Sequence, residues 1–233
     1  MHALELAGVV KDYRGLRPLR VADLVAEPGD RVAIAGLDRA AAEVFVDLVN
    51  GALLPDAGVV RVLGRSTADI TEGDDWLTWL DAFGILTQRA VLLESSTLAQ
   101  NLALPLSLDI DPMPADLRAT VEGLAAEVGL PAERLDRPIG DAPPAVRGRA
   151  HLAKALALGP KVLLLEHPTV TLDHADVRPF AATVARVAAA RALTVVALTE
   201  DAGFADVVAT RAYTLHGGTG ALTSTRGWRR FLS

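Results

Sequence analysis

The sequence predicts an α/β protein built around a mostly parallel, buried sheet. Short apolar strands at 31–35 (RVAIA), 161–166 (KVLLLE) and 193–198 (LTVVAL) alternate with segments of helical periodicity. Strands that are apolar throughout are typical of a sheet covered by helices on both faces. Apolar residues make up 51% of the 233 residues, which is enough to bury a sizeable core.

The elements follow one another in an order that suggests an insertion. Pro28-Gly29-Asp30 marks a turn before the strand 31–35, which ends at Gly36. Prolines and helical patterns between about 89 and 158 predict an all-helical insert between two halves of the sheet. We predict strands at 3–10, 19–25, 31–35, 58–63, 84–87, 161–166, 193–198 and 212–215, and helices at 39–50, 74–83, 96–104, 115–128, 145–158, 175–191 and 201–208.

Composition excludes several classes of protein. The net charge is −6 and basic residues form no stripe, which argues against a nucleic-acid partner. Because there is no cysteine, neither a disulfide framework nor thiolate chemistry is expected. The sequence has no apolar run of about 18 residues and no signal-peptide pattern at its start. We therefore expect a cytoplasmic protein, held at a membrane only through another chain.

One long run carries a resemblance to a known family. Residues 145–173, AVRGRAHLAKALALGPKVLLLEHPTVTLD, resemble the ATPase subunits of ATP-binding cassette (ABC) transporters, from the signature helix through Walker B to the D-loop. Positions 143, 166 and 200 have the spacing of the family's signature serine, Walker B aspartate and switch histidine. The resemblance covers nearly the whole chain, and 98–106 (LAQNLALPL) is most similar to subunits of the lipoprotein-release and lipid-transport type.

The resemblance implies a fold and a set of partners. The fold would be the P-loop NTPase (ABC ATPase) fold, a single domain over 1–233. Its RecA-like core and antiparallel β edge would take 1–88 and 159–233, and its helical subdomain 89–158. The implied partners are integral-membrane permease subunits and a second ABC subunit, in a homodimer or heterodimer. The chain would then be peripheral to the inner (cytoplasmic) membrane.

The loop that would hold phosphates departs from the family pattern. A P-loop needs glycines, a lysine and a magnesium-binding hydroxyl. Gly36 is kept, but Ala42 stands at the lysine position and Glu43 at the hydroxyl position. Arg39 replaces an inner glycine. A lost charge pair is worth about 4 kcal/mol at ~4 Å and an effective dielectric near 20, which weakens a micromolar site to roughly millimolar. Asp38 is predicted to cap the helix where phosphate would sit.

The catalytic positions have changed as well. Glu166 and His167 stand where the family has Asp-Glu, and Glu200 stands at the switch histidine. Because these positions face one pocket in the family, we expect a hydrogen bond between His167 and Glu200. Two other roles stay open, namely weak magnesium binding by Glu166 and general-base action by His167.

The signature loop and three other motif positions complete the comparison. The family uses Ser and two glycines in the signature loop, whereas prolines remove N–H donors and favour a helix start. Tyr13 takes the place of the adenine-stacking aromatic, Gln88 that of the Q-loop glutamine and Asp173 that of the D-loop aspartate. Simple packing of Tyr13 and a surface role for Gln88 remain alternatives. The signature loop here consists of Ala142, Pro143, Pro144, Ala145 and Val146.

These departures predict a nucleotide-binding-domain-like subunit without ATPase activity, a structural or regulatory partner of a membrane permease. Docking is expected in the groove between the core and the helical subdomain. No cofactor or protein-bound metal is expected, and Mg-ATP would bind only if residual affinity survives. Two alternatives remain, an ATPase with a modified, weak site and a soluble scaffold outside transport.

Overall fold

The computed structural model describes residues 1–70, 73–87 and 89–224, and it contains two sheets. The smaller sheet is antiparallel, and the larger one is parallel except at one edge. With strands numbered in chain order, the smaller sheet runs β2 (Leu19–Ala26), β1 (Leu4–Lys11), β4 (Ala57–Val62), β5 (Arg65–Ser66). The larger runs β10 (Ala221–Ser224), β9 (Arg211–His216), β3 (Arg31–Ala35), β8 (Thr194–Leu198), β7 (Val162–Glu166), β6 (Phe83–Leu86).

Seven α-helices of the described residues cover the larger sheet or lie between its strands. Three of them, α3 to α5, come between β6 and β7 in the chain. The helices are α1 (Arg39–Val49), α2 (Gly73–Leu80), α3 (Leu98–Ala103), α4 (Ala115–Glu127), α5 (Pro144–Leu156), α6 (His174–Ala190) and α7 (Ala202–Val208). None of these helices is long and apolar enough to cross a bilayer.

The larger sheet separates two hydrophobic cores. Successive side chains of a strand point to opposite faces, so β7 contributes to both. Leu163 and Leu165 join the core formed with α3 to α7, whereas Val162 and Leu164 join the core formed with α1 and the smaller sheet. Every residue of β7 and β8 is buried, which accounts for their apolar sequences. By the same alternation, Glu166 at the end of β7 points towards α1.

The parallel strands bring chemically important loops to one edge. β3, β6, β7 and β8 run in the same direction, so their carboxyl ends lie along one side of the sheet. In sheets of this kind ligands bind outside the carboxyl ends of the strands. The residues after β3, β6, β7 and β8 therefore form the region in which a functional site is expected.

Most predicted elements are confirmed, with corrections at a few ends. The helix predicted over 74–83 is wrong at its C-terminus, because α2 ends at Leu80. Phe83 instead pairs with Val162 in the sheet, and its ring meets that of Trp79 edge-on at 5.3 Å. Strands β5 and β10 were not predicted. The division into a core and a helical subdomain over 89–158 stays a prediction.

Candidate functional site

The loop after β3 contains a glycine with positive φ, Gly36, and leads into the N-cap of α1, Asp38. Gly36 has φ 90°, and a Cβ there would lie 2.3 Å from the carbonyl oxygen of Leu215. Asp38 is the N-cap of α1, and its Oδ1 accepts a hydrogen bond from the Ala41 N–H at 2.8 Å. The predicted cap is therefore confirmed, and a carboxylate of the chain lies on the first turn of α1.

Glu200 reaches the same loop from the neighbouring strand. The hydrogen bond expected between His167 and Glu200 stays a prediction, whereas Oε1 of Glu200 accepts one from the backbone N–H of Gly36 at 2.6 Å. The strand register explains this contact, because Leu198 of β8 pairs with Ile34 of β3 just before both strands end. His167 has φ +43°, an unusual conformation for a residue with a side chain, and its N–H donates to the Leu198 carbonyl at 2.9 Å.

A charged cluster that sequence reasoning missed surrounds Arg89, in the loop after β6. Its Nη1 lies 2.8 Å from Oε1 of Glu43, and its Nη2 lies 3.5 Å from Oδ1 of Asp47 and 3.6 Å from Oε2 of Glu166. Oε2 of Glu166 also accepts a hydrogen bond from the Thr87 hydroxyl at 2.7 Å. The guanidinium of Arg89 thus forms ion pairs with three carboxylates, two on α1 and one on β7.

Burial and charge make this cation important to the cluster. Glu166 is only 1% exposed, and a buried carboxylate is costly unless it is hydrogen-bonded and paired. Burial also raises the pKa of Asp47; Arg89 opposes this shift, whereas Glu43 adds to it. Because the guanidinium is 40% exposed, water screens part of its interaction. Arg89 and Thr87 together supply the partners that keep Glu166 inside the protein.

The remaining phosphate-loop positions offer little to an anion. Ala42, at the lysine position, is fully buried in the core below α1. Arg39, the first residue of α1, is exposed to solvent. The position at which the family motif has a lysine is therefore occupied by a buried apolar side chain, that of Ala42. Arg39, the cation nearest to it in sequence, is exposed to solvent.

A cavity of about 310 Å³ remains beside this loop. Tyr13, Arg17, Gly36 and Asp38 are among its lining residues. The Tyr13 side chain is half-buried, and its pKa is raised, first by burial and then by the nearby Asp38 carboxylate. Tyr13 therefore lies close to the α1 cap, at the side where the motif comparison placed an adenine ring.

The signature-loop residues start a helix, as their prolines predict. α5 begins at Pro144 with Pro143 as its N-cap, and both are exposed. No side chain caps this end of the helix. Asp173 likewise stands at the N-cap of α6 without a side-chain cap bond. Gln88 lies outside the described residues. Of the other signature-loop positions, Ala142 is buried, and Ala145 and Val146 are partly buried.

A second cavity, of about 380 Å³, separates the end of β6 from the start of α5. We define this cavity as the groove. Its lining includes Val91, Glu94, Arg147 and His151. Arg147 forms an ion pair with Glu94. The pKa of His151 is lowered to about 4, first by burial and then by Lys154 and Arg147. The position of His151 in the groove is a finding of the structure.

Comparisons with known proteins give the family. No family model matches the chain. The lipoprotein-releasing system ATP-binding protein LolD 1 of Rhodospirillum rubrum is 33% identical over 176 residues, which are 73% of this chain and 76% of that protein. The chain belongs to the ATP-binding cassette (ABC) family. The methionine import ATP-binding protein MetN of Cereibacter sphaeroides is 32% identical over 84% of this ABC chain, which spans only 54% of MetN.

Solved structures agree on the fold. The cbiO1 protein of Clostridium perfringens, part of an ABC transporter complex, superposes with a TM-score of 0.80 at 19% identity, over 95% of this chain and 87% of that one. A nucleotide-free ATP-binding cassette from an ABC transporter gives a TM-score of 0.77 at 17% identity, over 94% and 89%. The predicted ABC ATPase-type P-loop NTPase fold is confirmed. The chain is an ABC transporter nucleotide-binding-domain-like subunit, similar to LolD.

The capping role of Asp38 can be tested by substitution. Asp38→Ala removes the acceptor for the Ala41 N–H and should lower the free energy of unfolding by about 0.5–2 kcal/mol. Asp38→Asn is the matched control, because Asn caps a helix about as well as Asp. Urea denaturation of both variants measures the difference, and equal stability of the Ala and Asn variants would contradict the role.

Proposed function

We propose that this ABC subunit is catalytically inactive and that it acts as a structural or regulatory partner of a membrane permease. The observation that carries the proposal is that two carboxylates of the chain, Asp38 and Glu200, accept hydrogen bonds from the loop after β3 and the first turn of α1. In this fold those amides are the groups that hold phosphate. The pseudo-ATPase would have filled them with its own anions.

The electrostatics support exclusion of a nucleotide. Amides at a helix N-terminus attract an anion because they are unpaired and carry the positive end of the helix dipole. Asp38 already uses the Ala41 amide, and Glu200 uses that of Gly36. A phosphate placed about 4 Å from either carboxylate would be repelled by roughly 1 kcal/mol in water and about 4 kcal/mol at an effective dielectric near 20. No lysine ammonium at position 42 offsets that repulsion.

The hydrolytic groups are also otherwise occupied or replaced. Phosphoryl transfer depends on a positioned metal and on a residue that orients the attacking water. Glu166 bonds Thr87 and lies against Arg89, so its carboxylate is engaged within the protein. Pro143 has no N–H to offer, and Pro144 begins a helix with none. Together these features support loss of hydrolysis more strongly than loss of all nucleotide contact.

The groove supports the partner role. Val91 is 68% exposed on its wall, and the Arg147–Glu94 ion pair and His151 lie within it. The family resemblance supports a permease as the occupant. The subunit would then lie on the cytoplasmic side of the inner membrane, paired with a second copy or with another ABC subunit.

A second candidate is a subunit that binds nucleotide weakly. The cavity of about 310 Å³ beside Tyr13 and Arg17 favours it, because an aromatic ring and a cation remain there. Such a protein would bind Mg-ATP without turnover or with very slow turnover. Under both candidate functions, we propose that residues 1–233 form a single domain in which 89–158 are the helical subdomain.

A hydrolysis assay tests inactivity. The purified chain should release no phosphate from Mg-ATP above the level of its own Glu166→Gln variant, because Glu166 is engaged by Thr87 and Arg89 and Ala42 stands at the lysine position. LolD 1 of Rhodospirillum rubrum, assayed in parallel, is the positive control for the conditions. Phosphate release by the wild-type chain that Glu166→Gln or His167→Ala abolishes would contradict the proposal.

The permease role has a separate test in the groove. An affinity-tagged chain should retain a multispanning membrane protein from detergent-solubilised membranes of its source cells, and Val91→Asp should abolish this because it places a charge on the groove wall. Leu158→Asp is the matched control, since Leu158 is 50% exposed but does not line the groove. Equal capture by both variants, or capture of no membrane protein by the wild type, would count against docking there.

A further inference from the structure

Arg89 joins three parts of the molecule through one side chain. It lies two residues after Thr87 and immediately before the segment 90–94, which lines the groove. Its guanidinium contacts Glu43 and Asp47 on α1 and Glu166 at the end of β7. The start of the groove wall is therefore tied to α1, the helix after β3, and to strand β7 of the larger sheet.

The far end of the same segment is tied to the helices inserted between β6 and β7. The Leu93 N–H donates to Oδ1 of Asn101 in α3 at 2.8 Å, and Nδ2 of Asn101 donates back to the Leu93 carbonyl at 3.0 Å. Nζ of Lys154 in α5 donates to the Val91 carbonyl at 3.0 Å. Residues 89–94 thus form a strap that is fixed to the inserted helices at one end and held near α1 and β7 by the ion pairs of Arg89 at the other, with Leu92 buried in the core between them.

The carboxylates around Arg89 require a cation. Glu43, Asp47 and Glu166 carry like charges, and Glu166 is almost fully buried. Without a positive charge they would repel one another, and among the described residues the Thr87 hydroxyl would be left as the hydrogen-bond partner of Glu166. The guanidinium is covalently part of the strap, so this requirement holds the strap against α1 and β7 whether or not a ligand is present.

We infer that Arg89 is a built-in counter-cation that positions the strap, and so keeps the groove formed, without nucleotide. The inference rests on the proposed function and deepens it, because it makes the groove's readiness for a partner independent of Mg-ATP. Arg89 is here a positioning residue that acts through Glu43, Asp47 and Glu166.

Hydrogen exchange on the full chain tests the inference. In Arg89→Gln, peptides covering 89–96 should exchange about tenfold faster than in the wild type, because the strap loses its ion pairs to α1 and β7. Arg39→Gln is the matched control, since Arg39 is an exposed arginine at the start of α1. Arg89→Lys should give an intermediate rate, because lysine keeps the charge but not the fork of donors. Equal rates at 89–96 in Arg89→Gln and Arg39→Gln would overturn the inference.

A second variant tests the same ion pair from its other side, in case Arg89→Gln does not fold. Glu43→Gln removes one carboxylate from partly exposed α1 and should also speed exchange at 89–96, although Glu43 is 46 residues from Arg89 in sequence. An unchanged rate at 89–96 in Glu43→Gln would overturn the inference too.

Adding Mg-ATP to the wild type separates the two proposals. No change in exchange is expected anywhere, which supports both the phosphate site filled by Asp38 and Glu200 and the ligand-independent strap. If Mg-ATP protects 36–43 while Arg89→Gln still loosens 89–96, the proposed function fails and the role of Arg89 stands. If Mg-ATP itself slows exchange at 89–96, the strap depends on nucleotide and the inference is overturned.

Discussion

The rest of the site depends on the pairing of backbone amides at the start of α1 with carboxylates of the chain itself. A helix N-terminus has unpaired N–H groups and favours an anion, so something must satisfy it. In this protein Asp38 does so for the Ala41 amide, and Glu200 does so for the loop before it, at Gly36. Once these contacts are internal, the loop keeps its shape without a phosphate, and the neighbouring carboxylates need an internal cation.

Arg89 supplies this internal cation. Active sites of this fold bring together phosphate, a metal ion and protein carboxylates, whereas here the described residues supply both signs of charge. Arg89 lies among Glu43, Asp47 and Glu166. The hydrophobic cores are built mainly from other residues, because Val162 to Leu165 of β7 are buried apolar side chains.

The features that the sequence predicted are those that local chemistry decides. Apolar runs gave β3, β7 and β8, the Asp38 cap followed from the residue type before a helix, and Pro144 began α5 as an N-terminal proline should. The family spacing placed Glu166 and Glu200 at one edge of the sheet.

What the sequence could not show depends on tertiary contacts. Arg89 is one arginine among many in the sequence, and only the packing of β6 beside β7 brings it to Glu43 and Glu166. The contact of the Glu200 carboxylate with the Gly36 amide also depends on the register of β8 against β3, which the sequence does not reveal. β5 was missed because it has only two residues.

The central claim is that the chain has filled its own phosphate site, and calorimetric titration with Mg-ATP tests it most directly. The account predicts no heat of binding up to about millimolar nucleotide, the affinity range that remains after loss of one strong charge contact. A dissociation constant in the micromolar range would contradict it, because the Gly36 and Ala41 amides would then have to exchange their carboxylates for phosphate.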